Sequence, residues 1–401
     1  MKLSETHVFR DPIHGYIHVD EEVIWKLIDT PEFQRLRRIR QLGGDVMIYH
    51  TSEHSRFSHS LGVYEIFRRV LEEVPGVRES LTPLQAKAGL CAALLHDIGH
   101  GPFSHSFESI THIHHEDLSC RIITDPDSEV NKILVQENPA LPEMIVSVLR
   151  HQGDVPLLED LISSQLDCDR MDYLLRDAYF TGTSYGHFDL ERILRTLRVK
   201  EGRLCVKKSG MHSVEDYIMA RYQMYWQVYL HPDAASYELL VVSFFTEYEK
   251  IRNSCPIDLL EPVYQVKDSL KAFMALDDFS VLTAMRQALD SPDPVLTDLA
   301  DRILNRRLLE WMVSPSKTTV EQMRQDVRTA GMNPDLYVIV KTLESREFLP
   351  YQEENAAAIK VLDQGQLRNL SNCSQVVKAL ISMKETRTER LYYPKINDAC
   401  S

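Results

Sequence analysis

The chain has 401 residues, 44% hydrophobic and 26% charged, with a formal charge of −14 at pH 7, a balance that belongs to a folded protein with a sizeable core and excludes disorder. No apolar run approaches the ~20 residues that a spanning helix needs, which excludes helical membrane embedding. The carboxylate excess opposes non-specific binding to long nucleic acid but leaves room for a local basic pocket that holds one small polyphosphate.

Residues 1–7 lack the apolar segment and cleavage site of a secretory signal, so the expected location is cytoplasmic. Residues 8–19 alternate around Pro12 and Gly15 and predict a short hairpin, followed by a helix from about Glu21. Thr30 before Pro31 is a helix start, because Thr caps free amides and Pro is tolerated at the first helical position. The segment it opens carries Phe33, Leu36 and Ile39 among Arg35, Arg37, Arg38 and Arg40, and is predicted to run, half-buried and basic, to Gly43-Gly44. Helical spacing over 57–74 predicts the next helix. The run 84–95 is apolar on nearly every face, so its helix must lie inside; it ends at His96-Asp97, with Gly99, Gly101 and Pro102 as stop signals. Segments 141–151, 158–180, 188–198 and 213–229 also read as helix, which makes the first 250 residues almost wholly α. Beyond Pro256, helices at about 280–290, 294–307 and 317–329 precede β-favouring runs at 336–340, 357–362 and 390–393 around a helix near 372–383. The expected fold is mainly α, a helical core over 1–250 with a helical and small α+β region over 251–401 packed on it. The seven cysteines are scattered without a C-x-x-C pair and read as reduced thiols.

Nine of the sixteen histidines fall between His50 and His115. Imidazole is both a metal ligand and a group that titrates near neutrality, so the cluster suggests a metal site with acid-base helpers. His96-Asp97 places a nitrogen and an oxygen ligand at the mouth of a buried helix, where a charge is costly unless paired or coordinated; as a lone dipeptide it reads first as a structural hydrogen bond. Asp169, Tyr173 and Asp177 are four apart and share a helix face. That face could offer a ligand, a phenol and a second carboxylate to one cavity, or could be an ordinary solvated face.

Taken together, His54-Ser55-Arg56-Phe57-Ser58-His59, His96-Asp97-Ile98-Gly99-His100 with His105 and Glu108, His114-His115-Glu116, and Asp167-Cys168-Asp169-Arg170 resemble the HD-domain superfamily, whose separated His, His-Asp pair and distant Asp bind one or two divalent ions. Asp11-Pro12-Ile13-His14-Gly15, Asp29-Thr30-Pro31-Glu32-Phe33-Gln34-Arg35-Leu36-Arg37, Gln41-Leu42-Gly43-Gly44 and Arg56-Phe57-Ser58-His59-Ser60-Leu61-Gly62 look like the deoxynucleoside triphosphate triphosphohydrolases, in one order over residues 8–235. The resemblance implies that His59, His96, Asp97 and Asp169 hold the ion and that Arg56 and Arg170 hold phosphates. Arg170 stands where the mammalian relative has Lys, which keeps charge and alters geometry. It also puts His100, His105 and His115 beside the reacting phosphate, with His105 as general acid, and Glu108 as their partner where that relative has Asp. Gln41 and Asp177 would read the sugar 3′-hydroxyl, Tyr173 would pack on the sugar, and His231, after a helix with Tyr225 and Tyr229, would close the pocket.

The implied reaction is attack of water on the α-phosphorus, giving a deoxynucleoside and tripolyphosphate, with the ion polarising a phosphate oxygen and acidifying water. The ion is manganese, iron, zinc, nickel or magnesium, since His/Asp ligands suit each in some degree, and a second magnesium would accompany the nucleotide. Asp29, Gln34 and Arg37 match the family residues that recognise a guanine nucleotide activator, GTP or dGTP, between subunits of a homotetramer built as a dimer of dimers. A plain capped amphipathic helix explains the same three residues. Two other functions remain open: another HD phosphohydrolase, such as a nucleotidase or cyclic-nucleotide phosphodiesterase, and a nucleotide-sensing or nucleic-acid-binding protein with little turnover.

Overall fold

The computed structural model describes residues 2–344, 351, 353, 358–383 and 387–396. The predicted hairpin is longer than expected, β1 (Lys2–Asp11) pairing antiparallel with β2 (Gly15–Glu21). Its turn uses Gly15 at φ +74, a left-handed conformation that side chains disfavour. α1 (Glu22–Ile28) follows, then α2 (Pro31–Arg35), whose Thr30 cap accepts from the Phe33 amide at 3.3 Å. The basic helix does not continue to Gly43-Gly44. After one tight turn at Leu36–Arg38 the chain is extended at Ile39, and Arg40 bridges to Ser55. Arg35 explains the change, for its fully buried guanidinium donates to the carbonyls of Ile98, His100 and Leu276 and so turns inward rather than to solvent.

α3 (Arg56–Glu73) and α4 (Pro83–Leu95) form the centre. α4 starts on a Thr82–Gln85 capping box with Pro83 at its first turn, and it is apolar and buried as its sequence requires. Gly89 permits the crossing, since a Cβ there would lie 2.3 Å from the Phe67 ring of α3. Around this pair lie α5 (His105–Thr111), α6 (His115–Thr124), α7 (Glu129–Glu137), α8 (Leu141–Leu149), α9 (Pro156–Ile162) and α10 (Cys168–Thr181). The expected helix 158–180 is thus two helices. Asp167 makes the break, because its carboxylate accepts from the amides of Ser164 and Arg170, both at 2.7 Å, and caps α10.

α11 (Leu190–Thr196) ends before the expected 198, where β3 (Leu197–Lys200) and β4 (Arg203–Lys207) form a hairpin that interrupts the α-helical half. α12 (Met211–Met224) runs into a π-turn at Tyr225–Tyr229, and α13 (Pro232–Ile251) follows. Then come α14 (Leu270–Met274), α15 (Asp278–Ala288), α16 (Pro294–Leu304), β5 (Glu310–Val313), α17 (Lys317–Thr329) and α18 (Pro334–Tyr337). The run 336–340 therefore begins as a helical turn and becomes strand only at β6 (Ile339–Glu344). β7 (Lys360–Asp363), β8 (Gln366–Asn369), α19 (Leu370–Cys373), α20 (Gln375–Ile381) and β9 (Arg387–Tyr393) complete the described chain; Ala357 of the run 357–362 lies outside the described residues.

The mainly α fold with a small α+β appendage is as expected. The appended strands are shared, however: β7 adds parallel to β4, Cys205 opposite Lys360, giving the order β3-β4-β7-β8, while β5-β9-β6 form a second sheet. One contiguous apolar cluster runs from Ile17 to Tyr392. Among the described residues no helix is long and apolar enough to cross a membrane.

Candidate active site

Three elements converge where the histidine-aspartate motifs meet. His59 lies in the second turn of α3, His96-Asp97 follow α4, and Asp169 sits in the first turn of α10. His59 Nε2 is 3.0 Å from Asp169 Oδ1 and 3.8 Å from Asp97 Oδ2. His96 Nε2 lies 3.4 Å from Asp97 Oδ1 and 3.6 Å from Asp169 Oδ1. All four expected ligands thus come together, and His59, His96 and Asp169 can present ligand atoms within 4.8 Å of one another.

The donor set fits a divalent ion. His96 Nδ1 donates to the Ala93 carbonyl at 3.0 Å, which leaves Nε2 with a lone pair, and that atom is buried without a hydrogen-bond partner. His59 Nδ1 donates to Asp172 Oδ2 at 2.8 Å, again turning Nε2 toward the carboxylates. Outer partners of this kind fix the tautomer and ring orientation of metal-ligating histidines. Burial pulls the His59 pKa down, yet hydrogen bonds to Asp169 and Asp172 outweigh it and lift the pKa to about 10. Such a proton is the place-holder of a cation between two carboxylates.

Asp172 was missed by sequence reasoning. Fully buried, it receives His14 Nε2 at 2.6 Å, His59, and Arg176 Nε at 2.8 Å; Arg176 also pairs with Asp11 at 2.8 Å. The hairpin motif Asp11–His14 therefore braces His59. Gly62 makes room, since a Cβ there would fall 1.9 Å from Asp172 Oδ1. The available signal was the i,i+4 pair Asp172–Arg176 beside the Asp11-Pro12-Ile13-His14 turn.

A cavity of about 480 Å³ opens on this centre, with Asp97, Asp169, Arg56, His100, His105 and His115 at one part of its wall. Arg56 Nη1 donates to Asp97 Oδ2 at 2.5 Å, while its Nε and Nη2 reach Ser104 Oγ at 3.0 and 2.8 Å. His100, 2% exposed, stacks on His115 with ring centroids 3.8 Å apart. Burial and the neighbouring Arg56 charge hold its pKa well below normal, so it is neutral. Glu108 accepts from His115 Nδ1 in a short bond and lies 3.7 Å from the exposed His105. Although burial raises the Glu108 carboxyl, its two histidine partners outweigh that effect and hold it below its ordinary range.

Elsewhere the wall carries Gln41, Tyr173 and Asp177. Asp177 is doubly held, by His54 Nε2 at 2.7 Å and the Tyr229 hydroxyl at 2.9 Å, and Gln41 Oε1 is buried without a partner. Arg170 and His231 are not among the lining residues. Arg170 Nε lies 3.4 Å from Asp167, with Nη1 buried and unpartnered, and His231 Nδ1 caps α13 by accepting from the Asp233 amide at 3.2 Å. Leu230, Tyr225 and Tyr229 line the cavity beside it.

The loops of the site are pinned from outside the motifs. Phe103 and Ser104 adopt φ +56 and +50, a conformation costly for side-chain-bearing residues and common at functional sites. Asp278, from α15, accepts from the Phe103 amide at 3.0 Å and the Arg40 amide at 2.9 Å, tying the Ser104 loop to the Gln41 segment. On the outer surface Asp29, Gln34 and Arg37 lie together: Arg37 Nε donates to Gln34 Oε1 at 2.8 Å, and its guanidinium covers the Phe57 ring at 3.6 Å.

The HD domain family matches residues 56–177, which begin at Arg56 and end at Asp177, and the HD associated region matches 188–246. The chain is 43% identical to YwfO of Bacillus subtilis (strain 168) over 98% of its own length and 93% of that protein. Human deoxynucleoside triphosphate triphosphohydrolase SAMHD1 is 25% identical over 85% of this chain and 61% of its own length. The crystal structure of a phosphohydrolase from Bacteroides thetaiotaomicron matches with a TM-score of 0.86 and 26% identity, covering 98% of this chain and all of that one. With the histidine-aspartate centre lying inside the matched segment, the chain belongs to the HD-domain phosphohydrolase family.

Proposed function

We propose that the protein hydrolyses deoxynucleoside triphosphates to a deoxynucleoside and tripolyphosphate, with one divalent ion held by His59, His96, Asp97 and Asp169. The observation that carries this is the buried, unpartnered His96 Nε2 between two carboxylates at the wall of a cavity whose other groups suit phosphate and sugar. An ion there would supply Lewis-acid charge to a phosphate oxygen and acidify water. Arg56 donates to the phosphates as charge grows in the transition state, and Arg170, whose buried Nη1 has no partner, joins it by a rotation of its half-buried side chain. Water attacks the α-phosphorus, the bond to the sugar 5′-oxygen breaks, and His105 gives that oxygen its proton; Glu108, bonded to His115 and 3.7 Å from His105, orients the two rings for this task. Gln41 and Asp177 take the 3′-hydroxyl, and the Tyr173 ring packs on the sugar.

Incubation of metal-loaded protein with each dNTP tests the reading. Tripolyphosphate is the expected product. Orthophosphate or pyrophosphate would count against it and favour another phosphohydrolase of the same family. In this proposal Asp29, Gln34 and Arg37 bind GTP or dGTP as activator between subunits, and residues 251–401 serve a homotetramer. Added GTP should then raise cleavage of a second dNTP and shift the mass in light scattering, and Arg37→Ala should abolish both effects.

A further inference from the structure

One buried acid on the cavity wall serves neither phosphate nor sugar. Asp45 is 6% exposed and lines the cavity, and its Oδ1 is buried without any hydrogen-bond donor. It belongs to the turn Gly43–Met47, which is seated on α13: a Cβ on Gly44 would lie 2.9 Å from the Tyr237 ring and 3.2 Å from the Ala234 carbonyl, so the turn has no room to retreat. Asp45 senses the charge of Asp177, and Asp177 stands two helical turns beyond Asp169, about 12 Å along α10. With the phosphates at Asp169 and the sugar at Asp177, Asp45 on the wall of the same cavity is left for the nucleobase. Asp177, held by His54 and Tyr229, is assigned to the sugar 3′-hydroxyl. Glu238, the other acid there, lies 4.0 Å from Lys341. Burial pushes the Asp45 carboxyl well up, and Glu238 and Asp177 add to the effect; a donor brought by a ligand would favour its ionised, accepting form.

We propose that Asp45 reads the nucleobase, accepting a hydrogen bond from its exocyclic amino group, so that the substrates are deoxynucleotides of guanine, adenine or cytosine in preference to thymine. The inference rests on the triphosphohydrolase reading and narrows its substrate class. Only those three bases carry an amino group; thymine's one donor on that edge is its ring N3–H and at position 4 it presents a carbonyl oxygen, so an acceptor aimed at the exocyclic position meets another acceptor there and disfavours it.

The test compares 5-methyl-dCTP with dTTP, which share a shape and differ in an amino group against a carbonyl at position 4 and in a bare nitrogen against an N–H at position 3. The wild-type protein should favour 5-methyl-dCTP by about tenfold or more in kcat/KM. Asp45→Ala should bring the ratio near one, and Asp45→Asn, which keeps an accepting oxygen, should restore part of it. Equal use of the pair by the wild type, or a preference that survives in Asp45→Ala, overturns the proposal; the wild-type comparison decides even if a variant fails to fold. If neither nucleotide is hydrolysed, the hydrolase reading falls. Calorimetric binding of the same pair to the same protein then judges the base contact alone: about tenfold tighter 5-methyl-dCTP sustains it, and equal or no binding overturns it.

Discussion

Replacing Asp172 by Asn removes one negative charge from the group that orients His59, a ligand in the proposed metal site, and keeps the volume. In the folded protein this carboxylate accepts from His14, His59 and Arg176 at 2.6 to 2.9 Å, and it has no solvent exposure. Its two oxygens take four N–H groups, two each, and an amide can accept through one oxygen only, so one histidine and one Arg176 N–H lose their partner. Arg176 keeps Asp11, which limits the stability loss to about 1–3 kcal/mol rather than the 3–5 kcal/mol of a fully broken buried pair. At the metal, loss of an outer carboxylate typically weakens binding ~10–100-fold. The assay is equilibrium dialysis against buffered manganese with metal content read by mass spectrometry, beside a thermal melt with and without the ion. Wild-type protein should gain more Tm from the ion than Asp172→Asn does, because the gain follows RT ln(1 + [L]/Kd). Equal metal affinity and equal melting in the two proteins would refute the bracing of His59 through Asp172.

Gly62→Ala should destabilise by at least about 2 kcal/mol, because its methyl would overlap Asp172 and Arg176 and the helices cannot part cheaply; an unchanged denaturant midpoint would show that the close approach is not needed. Glu108→Gln should lower kcat by ~10²-fold or more with KM nearly unchanged, since the carboxylate acts through His105 and His115 rather than on bound substrate; a change confined to KM would contradict that. Burial raises the Asp278 pKa from 3.8 to about 6, although the Arg40 and Phe103 amides oppose it. The folded state therefore holds this proton more tightly than the unfolded one, and the stabilising contribution is complete below about pH 4 and lost as pH rises to about 6, at most ~3 kcal/mol. Asp278→Asn should remove that part of the slope in denaturant melts between pH 4 and 7, and identical slopes in the two proteins would exclude it. Asp97→Ala should abolish both hydrolysis and metal retention; full activity would end the metal proposal.

The helical core and the meeting of His59, His96, Asp97 and Asp169 were legible because each signal is local: an apolar run that must be buried, a cap, a dipeptide at a helix end. Two expected helices were wrong for tertiary reasons. Arg35 reads as one more surface cation until its three carbonyl acceptors, two near the site and one at Leu276, come into contact with it. Asp167 reads as part of a charged helix face, whereas its carboxylate stops one segment and starts the next. Asp45, Asp172 and Asp278 escaped notice for the same reason, since a single acid in a sequence says nothing about whether its oxygens will be satisfied. The shared sheet was hidden by distance, since β7, the second partner of β4, comes from the last fifth of the chain.

That parallel seam between β4 and β7 bears on synthesis as well as on architecture. Cys205 meets its partner only after Lys360 has been made, and parallel pairing across such a span closes a long loop and is slow. While a ribosome is still working through the intervening stretch, the nascent chain shows an open strand edge, the kind of surface on which neighbouring chains add. Fragments that stop short of Lys360 would carry that edge permanently and should depend on chaperones in proportion.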